Sequence, residues 1–297
     1  MYLESGHLTP TPPFDFAKSL EFLRIFMPMQ SEQALSGRSL TKAVCITGQT
    51  LAFQVTTIGT VEKPELEYSL FSDQVIASPI KSATVDRISF FLSLADELQP
   101  FYLVAGNDPH FAPLKQLYGY HQVKFLTPFE NACWAVLTQR NSMNIARKMK
   151  QVIVEKFGSS LDVDGSIYWA FPEPAQLAVV SNELEDLIRN QQKAEYLSAV
   201  ARAFTEVDEE FLRVADYDEV EEWLRKIKGI GEWSAAFILL RGLGRMERVP
   251  LTEKKLIEVV SQVYGYGEAI THKTIQSIAQ RYRVWQGYWA HYLKVAF

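Results

Sequence analysis

The sequence predicts an α+β protein, with an N-terminal antiparallel-sheet domain followed by a mainly α-helical remainder. Two observations carry this expectation. Short runs rich in β-formers, Leu40–Thr47, Leu51–Thr57 and Leu66–Phe71, cluster in the first third and are broken by Gly48, Gly59 and Pro64. Past Phe125 that signal disappears and apolar residues recur at helical spacing to the end. A chain of 297 residues that is 47% hydrophobic is long and apolar enough for two or three domains with real cores.

Taken in order, a Pro-rich opening, Leu8–Phe14, leads into a helix over Asp15–Met27 for which Asp15 is a plausible cap. The strand runs follow, and helical spacing resumes around Arg87–Leu98, so residues 1–115 read as the sheet domain. Further on, helices are expected over Phe129–Arg140, Ser142–Phe157, Glu173–Ser181, Glu183–Asn190, Lys193–Phe204 and Glu209–Val214. Gly158 closes one of these, and Pro172 and Pro174 open the next. Val220–Ile227, Trp233–Leu243, Thr252–Tyr264 and a last helix from Thr274 complete an all-α segment. Gly265–Gly267 reads as a turn. No repeat of solenoid period is evident.

Composition excludes several classes. Fifteen Gly and 13 Pro are ordinary numbers, which removes collagen-like and low-complexity readings. Neither a membrane span nor a signal peptide is expected, because no apolar run reaches the needed length and Met1–His7 has no basic or apolar leader pattern. Two cysteines, Cys45 and Cys133, build neither a disulfide framework nor an iron–sulfur cluster, which fits a reducing cytosol. The five histidines show no zinc spacing, so no metal site is expected. The net charge of −5 is unevenly placed: from Glu221 onward twelve basic residues face seven acidic ones, so the acidity lies in the first 220.

That basic segment holds the most informative motif. A helix ends at Lys228, Gly229-Ile230-Gly231 turns the chain, and a second helix begins near Glu232–Trp233. Two glycines let the backbone turn tightly and approach a ligand, while Ile230 would pin the turn into the core. Free N–H groups at the second helix's start suit a phosphate, and Lys226 and Lys228 add positive charge beside them. A lone Gly-x-Gly is usually just a helix–helix turn. The flanking amphipathic helices and the small pair Ala235-Ala236 favour a DNA-binding helix-hairpin-helix here.

These residues belong to a longer ordered series. It comprises Pro12-Pro13-Phe14-Asp15-Phe16 with Leu20 and Phe22-Leu23, Pro128-Phe129-Glu130 through Ala135–Gln139, Ala146-Arg147 and Phe157-Gly158. Phe171–Pro174, Lys193-Ala194-Glu195-Tyr196, Gly229–Ala235 and Leu240–Gly242 complete it. In this series the chain resembles the helix-hairpin-helix DNA glycosylase superfamily, most of all its bacterial DNA-3-methyladenine glycosylase II branch. The resemblance implies a central helical domain over 116–225, the hairpin and C-terminal helices over 226–297, and a base pocket in the cleft between them. It implies a monomer that acts on damaged double-stranded DNA in the cytoplasm, at the bacterial nucleoid, with no organic cofactor. A monovalent cation at the hairpin carbonyls is a further implication.

Relatives with lyase activity carry a lysine two residues past the second hairpin glycine, where this chain has Trp233, so the resemblance implies a monofunctional enzyme. Trp233, Phe237 and Phe22 fall where pocket aromatics are implied, with Trp134 and Tyr288 as further candidates; core packing is the alternative for each. Gln139 and Arg140 occupy the loop that fills the gap left by a flipped base, and a plain surface arginine is the alternative for Arg140.

The chain departs from the family where an aspartate is implied after the hairpin. Arg248–Leu256 contains no Asp; counting from Pro250 places Thr252 at the site, and counting back from Leu256 places Glu253 there. A glutamate could stabilise the cationic transition state, although a carboxylate displaced by about 1 Å can cost about 100-fold. Alternatively Thr252 is an N-cap and Glu253 sits beside a helix dipole. Lys294 stands near a further implied aromatic. Three functions are therefore open: a glycosylase that hydrolyses alkylated purines out of DNA, a glycosylase-fold protein that binds damaged DNA without cleaving it, or a glycosylase for another lesion that uses carboxylates elsewhere in the cleft.

Overall fold

The Thr47-Gly48 turn organises the first third of the chain. Both residues have positive φ (49° and 80°), the geometry of a two-residue hairpin turn that matches strand twist. It joins β3 (Ser39–Ile46) to β4 (Gln49–Thr57). With β1 (Tyr2–Leu8), β2 (Gln33–Leu35) and β5 (Leu66–Ser72) they form an antiparallel sheet of order β1-β5-β4-β3-β2. The computed structural model describes residues 1–297 apart from Ser31, Tyr266, Gly267 and Ala269, so part of the expected Gly265–Gly267 turn lies outside the described residues.

Helices account for most of the remainder. They are α1 (Phe16–Ile25), α2 (Ser78–Phe91), α3 (Gln99–Gly106), α4 (Pro113–Leu117), α5 (Pro128–Thr138), α6 (Met143–Phe157), α7 (Pro174–Ala178) and α8 (Ser181–Ile188). Then come α9 (Gln191–Glu206), α10 (Glu209–Val214), α11 (Tyr217–Lys226), α12 (Glu232–Phe237), α13 (Lys254–Tyr264), α14 (His272–Gln280) and α15 (Gln286–Ala296). Asp15 caps α1 by accepting from the Ala17 N–H, as its position before the apolar run predicts. No helix among the described residues is long and apolar enough to cross a membrane.

Two sequence expectations need correction. The segment past Phe125 is not all-α, because β6 (Ser159–Val163) and β7 (Ser166–Ala170) form a hairpin. Its turn, Asp164-Gly165, again has positive φ at both residues (50° and 81°). The hairpin covers the outer face of the sheet, where Ala170 meets Ala43 and Cys45, and Leu161 and Val163 meet Ala52. With both faces covered, β3 is buried along nearly its whole length. The expected helix from Thr274 to the end is two helices, broken at Arg283, whose φ is +53°.

One apolar cluster extends from Phe14 in the N-terminal part to Leu293 in α15. A set of buried charges crosses it. Lys150 of α6 is buried and donates to Glu130 of α5 (2.5 Å), Glu32 (2.6 Å) and the Pro28 carbonyl (2.9 Å). Glu32 also pairs with the buried Lys42 of β3 at 3.0 Å. Burial alone would raise the Glu32 pKa, but the two lysines outweigh it and hold the carboxyl below its ordinary range. This network ties Pro28 and Glu32 to α5, α6 and the sheet.

Replacing Lys150 by Met leaves Glu130 without its ammonium and Glu32 with Lys42 alone. We expect a loss of about 3–5 kcal/mol in denaturant unfolding, since breaking a buried pair strands the remaining charge. The Glu32 contribution is present at neutral pH and is lost as the pH falls through its lowered pKa, below the ordinary value of 4.5. The acid limb of the stability curve should therefore flatten in Lys150→Met.

Candidate active site and nucleic-acid interface

The hairpin between α11 and α12 is built around Gly229, whose φ is +95°. A Cβ there would lie 2.4 Å from the Tyr196 ring of α9, so both the dihedral and the close approach require glycine. Ile230 is buried beneath the turn. Gly231 starts α12 with an extended φ of −94°, and a Cβ there would meet nothing within 4 Å. Lys226 and Lys228 are exposed beside the turn, each paired with a carboxylate: Glu222 at 2.8 Å and Glu195 at 2.7 Å. The Gly229 carbonyl accepts from Gln139 and the Ile227 carbonyl from the Ile230 N–H, so a cation at the hairpin would share these oxygens with protein donors.

The loop after α5 is fastened to this hairpin. Gln139 Nε2 donates to the Gly229 carbonyl at 2.7 Å and lies 3.3 Å from Ser234 Oγ. Lys193 reaches under the loop from the first turn of α9. Its buried ammonium donates to the carbonyls of Val136 (2.9 Å), Leu137 (3.2 Å) and Gln139 (2.7 Å), closing the C-terminus of α5. Burial lowers the Lys193 pKa, and Arg140 nearby lowers it further. Arg140 itself is exposed, in the left-handed region at φ +54°. The Lys193–Tyr196 motif thus supplies both the cap under the loop and the ring against Gly229.

Beside this surface the structure brings together three of the five aromatics singled out in the sequence. Trp233 stacks on Phe237 with centroids 5.3 Å apart and planes 8° apart, and remains 39% exposed. Phe237 meets Phe125 edge to face, Phe125 meets Phe26, and Phe26 stacks on Phe22 at 4.9 Å. Trp134 and Tyr288 are elsewhere. Trp134 is buried in α5, and Tyr288 is buried among Phe101, Trp285 and Tyr292 with its hydroxyl on Asp96. Their bulk serves the core, which leaves neither facing the Phe22–Phe237 cluster.

A guanidinium closes this cluster. After Phe237 the helix widens into a π-helical stretch, Ile238–Leu243, which carries Arg241. Arg241 is 4% exposed and lies over the rings of Phe22 (5.1 Å) and Phe26 (4.9 Å). It donates to the Val123 carbonyl at 2.8 Å and approaches His291 of α15. Burial pushes its pKa down to about 10. The same burial, with Arg241 beside it, keeps His291 well below its ordinary value and so neutral.

Of the two candidates after the hairpin, Thr252 and Glu253, only Glu253 carries a carboxylate. It is half-buried in the N-cap position of α13, yet its side chain does not cap the helix. Oε2 instead accepts from Lys294 Nζ of α15 at 2.6 Å, and the carboxylate also acts electrostatically on Arg241. Thr252 is exposed in the preceding turn, so the expected Thr252 cap gives way to Glu253 one residue later. Sequence reasoning missed Arg241, His291, Phe26 and Phe125, and noted Lys294 only for the aromatic it displaces. An unpaired arginine between Leu240 and Gly242 in an apolar run was the one available signal. A separate cavity of about 290 Å³, lined by Cys45, Arg87, Glu130, Phe171 and Glu173 among others, shares no residue with this cluster.

A profile of the HhH-GPD superfamily of base excision DNA repair proteins matches residues 133–283. The chain is 32% identical over 213 residues to a DNA-3-methyladenine glycosylase of Bacillus subtilis strain 168, covering 70% of each chain. It is 29% identical over 161 residues to DNA-3-methyladenine glycosylase 2 of Escherichia coli K12, covering 54% of each. Among solved structures it resembles a 3-methyladenine DNA glycosylase from Archaeoglobus fulgidus with a TM-score of 0.79 at 19% identity, over 98% of this chain and 97% of that one. It also resembles a Clostridium acetobutylicum 8-oxoguanine glycosylase/lyase in complex with double-stranded DNA, with a TM-score of 0.71 at 16% identity, over 100% of this chain and 97% of that one.

Gly229→Ala combines a forbidden dihedral with a clash against Tyr196. Thermal or denaturant unfolding should show a loss of about 1–3 kcal/mol. Binding to duplex DNA should weaken in the same variant, because the turn cannot keep its shape.

Proposed function

Because the chain belongs to the HhH-GPD superfamily of base excision DNA repair proteins, we propose that it is a monofunctional DNA glycosylase that hydrolyses alkylated purines of the 3-methyladenine type out of duplex DNA. The observation that carries this reading is the half-buried carboxylate of Glu253, whose charge acts on Arg241, the guanidinium that underlies the Phe22–Phe26 stack. The hairpin backbone and Lys226 and Lys228 hold the phosphates of the damaged strand. The damaged nucleotide leaves the stack and Arg140 fills the gap. The exposed face of Trp233 then stacks on the extruded base, an arrangement that favours a base made cationic by alkylation.

Such a base is already a good leaving group. What remains to be stabilised is positive charge on the sugar, and Glu253 supplies the opposite charge while orienting water toward C1′. Trp233 occupies the position where lyase members carry their lysine, which favours hydrolysis over strand cleavage. The protein acts as a monomer on DNA in the nucleoid, and a cation bridging the hairpin to a phosphate would use the second lone pairs of the Ile227 and Gly229 carbonyls. A second reading is a protein that binds damage without hydrolysis; the 2.6 Å pairing of Glu253 with Lys294, in a segment without an Asp, favours it.

Methylated duplex DNA separates the two. The wild type should release 3-methyladenine or 7-methylguanine, and Glu253→Gln should slow release about 100-fold or more. Binding to an abasic-site duplex without any base release would establish the second reading. An active wild type with an equally fast Glu253→Gln would move the chemistry to another residue. Charge reversal at both Lys226 and Lys228 should weaken binding at every sequence and lower the slope of log affinity against log salt by roughly one to two.

A further inference from the structure

The cavity of about 290 Å³ lies where the end of β3, α2, the start of α5, the 171–174 segment and α10 meet. Its apolar wall is aromatic: Phe129 meets Phe171 edge to face and Phe204 at a tilt, both with centroids 5.8 Å apart. The volume is near the lower end for small-molecule sites and suits a single ring system. Four carboxylates line it, and each already holds a donor. Asp86 pairs with Arg213 at 3.0 Å, Glu130 with Lys150 at 2.5 Å and Glu209 with Arg87 at 2.6 Å. Glu173 accepts from the Thr47 and Gly48 N–H groups, both at 2.8 Å. Burial, and after it the nearby Glu173, pushes the Cys45 thiol up to about 11, so this wall residue stays protonated.

Arg87 is the exception among these lining groups. Its two terminal nitrogens are taken by Glu209 (2.9 and 2.6 Å), and among the described residues its buried Nε–H finds no acceptor. A buried donor left unpaired costs free energy that an incoming oxygen recovers. Glu209 Oε1 also accepts from Arg213, whereas Oε2 accepts only from Arg87 and keeps a lone pair. An anion would enter among four carboxylates, and a cation would find none of them unanswered and would meet a guanidinium. We propose that this cavity binds a small neutral aromatic amide. Its ring packs against Phe129, Phe171 and Phe204, its carbonyl oxygen accepts from Arg87 Nε, and its amide N–H donates to Glu209 Oε2. Such a ligand joins β3 and α2 to α5 and α10 without touching the Phe22–Phe237 cluster, and its binding needs nothing from the reaction proposed above.

Titration calorimetry of the full chain with benzamide, and with toluene and benzoate as analogues of similar shape, tests this. A hydrogen bond from a charged donor is worth about tenfold in affinity or more, so benzamide should bind at least about tenfold tighter than toluene. Benzoate should bind more weakly than benzamide. Arg87→Lys keeps a cation against Glu209 but has no Nε, and it should bring benzamide down to the affinity of toluene. Ala83 lines the cavity from an exposed position on α2, so Ala83→Phe fills the space without entering the core. That variant should unfold at the wild-type temperature and no longer bind benzamide, while Trp233→Ala should bind it as the wild type does. Absence of benzamide binding at millimolar concentration, equal affinity for toluene, or tighter binding of benzoate would overturn the proposal. So would binding that survives Ala83→Phe or is lost in Trp233→Ala, since either places the ligand elsewhere.

Discussion

The buried guanidinium of Arg241 is the contact on which the site depends. It meets four parts of the chain that are far apart in sequence: the α1 end through Phe22 and Phe26, the segment before α5 through the Val123 carbonyl, the hairpin unit through its own backbone, and the last helix through His291. The Phe125 N–H returns a hydrogen bond to the Arg241 carbonyl at 3.0 Å, so side chain and backbone are both engaged. A buried cation is costly unless each of its donors and its charge find partners. Here two aromatic faces, one carbonyl and the field of Glu253 answer it. The aromatic wall and the ion pair at Glu253 are therefore held in mutual register by one side chain.

The interface side follows a similar economy of contacts. Lys193 uses its charge on helix-end carbonyls instead of on solvent, and Gln139 spans from that loop to Gly229. Displacing the loop would strand a buried ammonium, so the exposed Arg140 sits on a rigid base. The hairpin lysines are each paired with a glutamate. A phosphate would have to compete with those carboxylates, which moderates the basic field that the C-terminal charge excess suggests.

The central strands, α1 with its Asp15 cap, and most helices were legible because they follow from periodicity and from residues that stop or start elements. The β6–β7 hairpin was missed although Asp164-Gly165, flanked by Leu161-x-Val163 and Ile167-x-Trp169, is a strong turn signal. Five-residue strands between long helical patterns are easily absorbed into them. In the site, the hairpin glycines and the Trp233–Phe237–Phe22 aromatics could be picked out from spacing and resemblance. Trp134 and Tyr288 could not be told from core residues, because a one-dimensional pattern does not say which wall an aromatic faces. The roles of Arg241 and Lys294 were not read for a related reason: charged side chains are taken as solvent-facing by default, and only a tertiary partner such as Glu253 or Val123 turns them inward.

We propose that Glu253 opposes positive charge developing on the sugar. The most direct test is equilibrium binding to two duplexes that differ at a single abasic position, one a neutral tetrahydrofuran and the other a pyrrolidine whose ring nitrogen is cationic in place of C1′. A carboxylate that stabilises the transition state must favour its charged mimic. The wild type should bind the pyrrolidine duplex more tightly by at least about tenfold, with the preference lost in Glu253→Gln. Equal affinity of the wild type for both duplexes would contradict it.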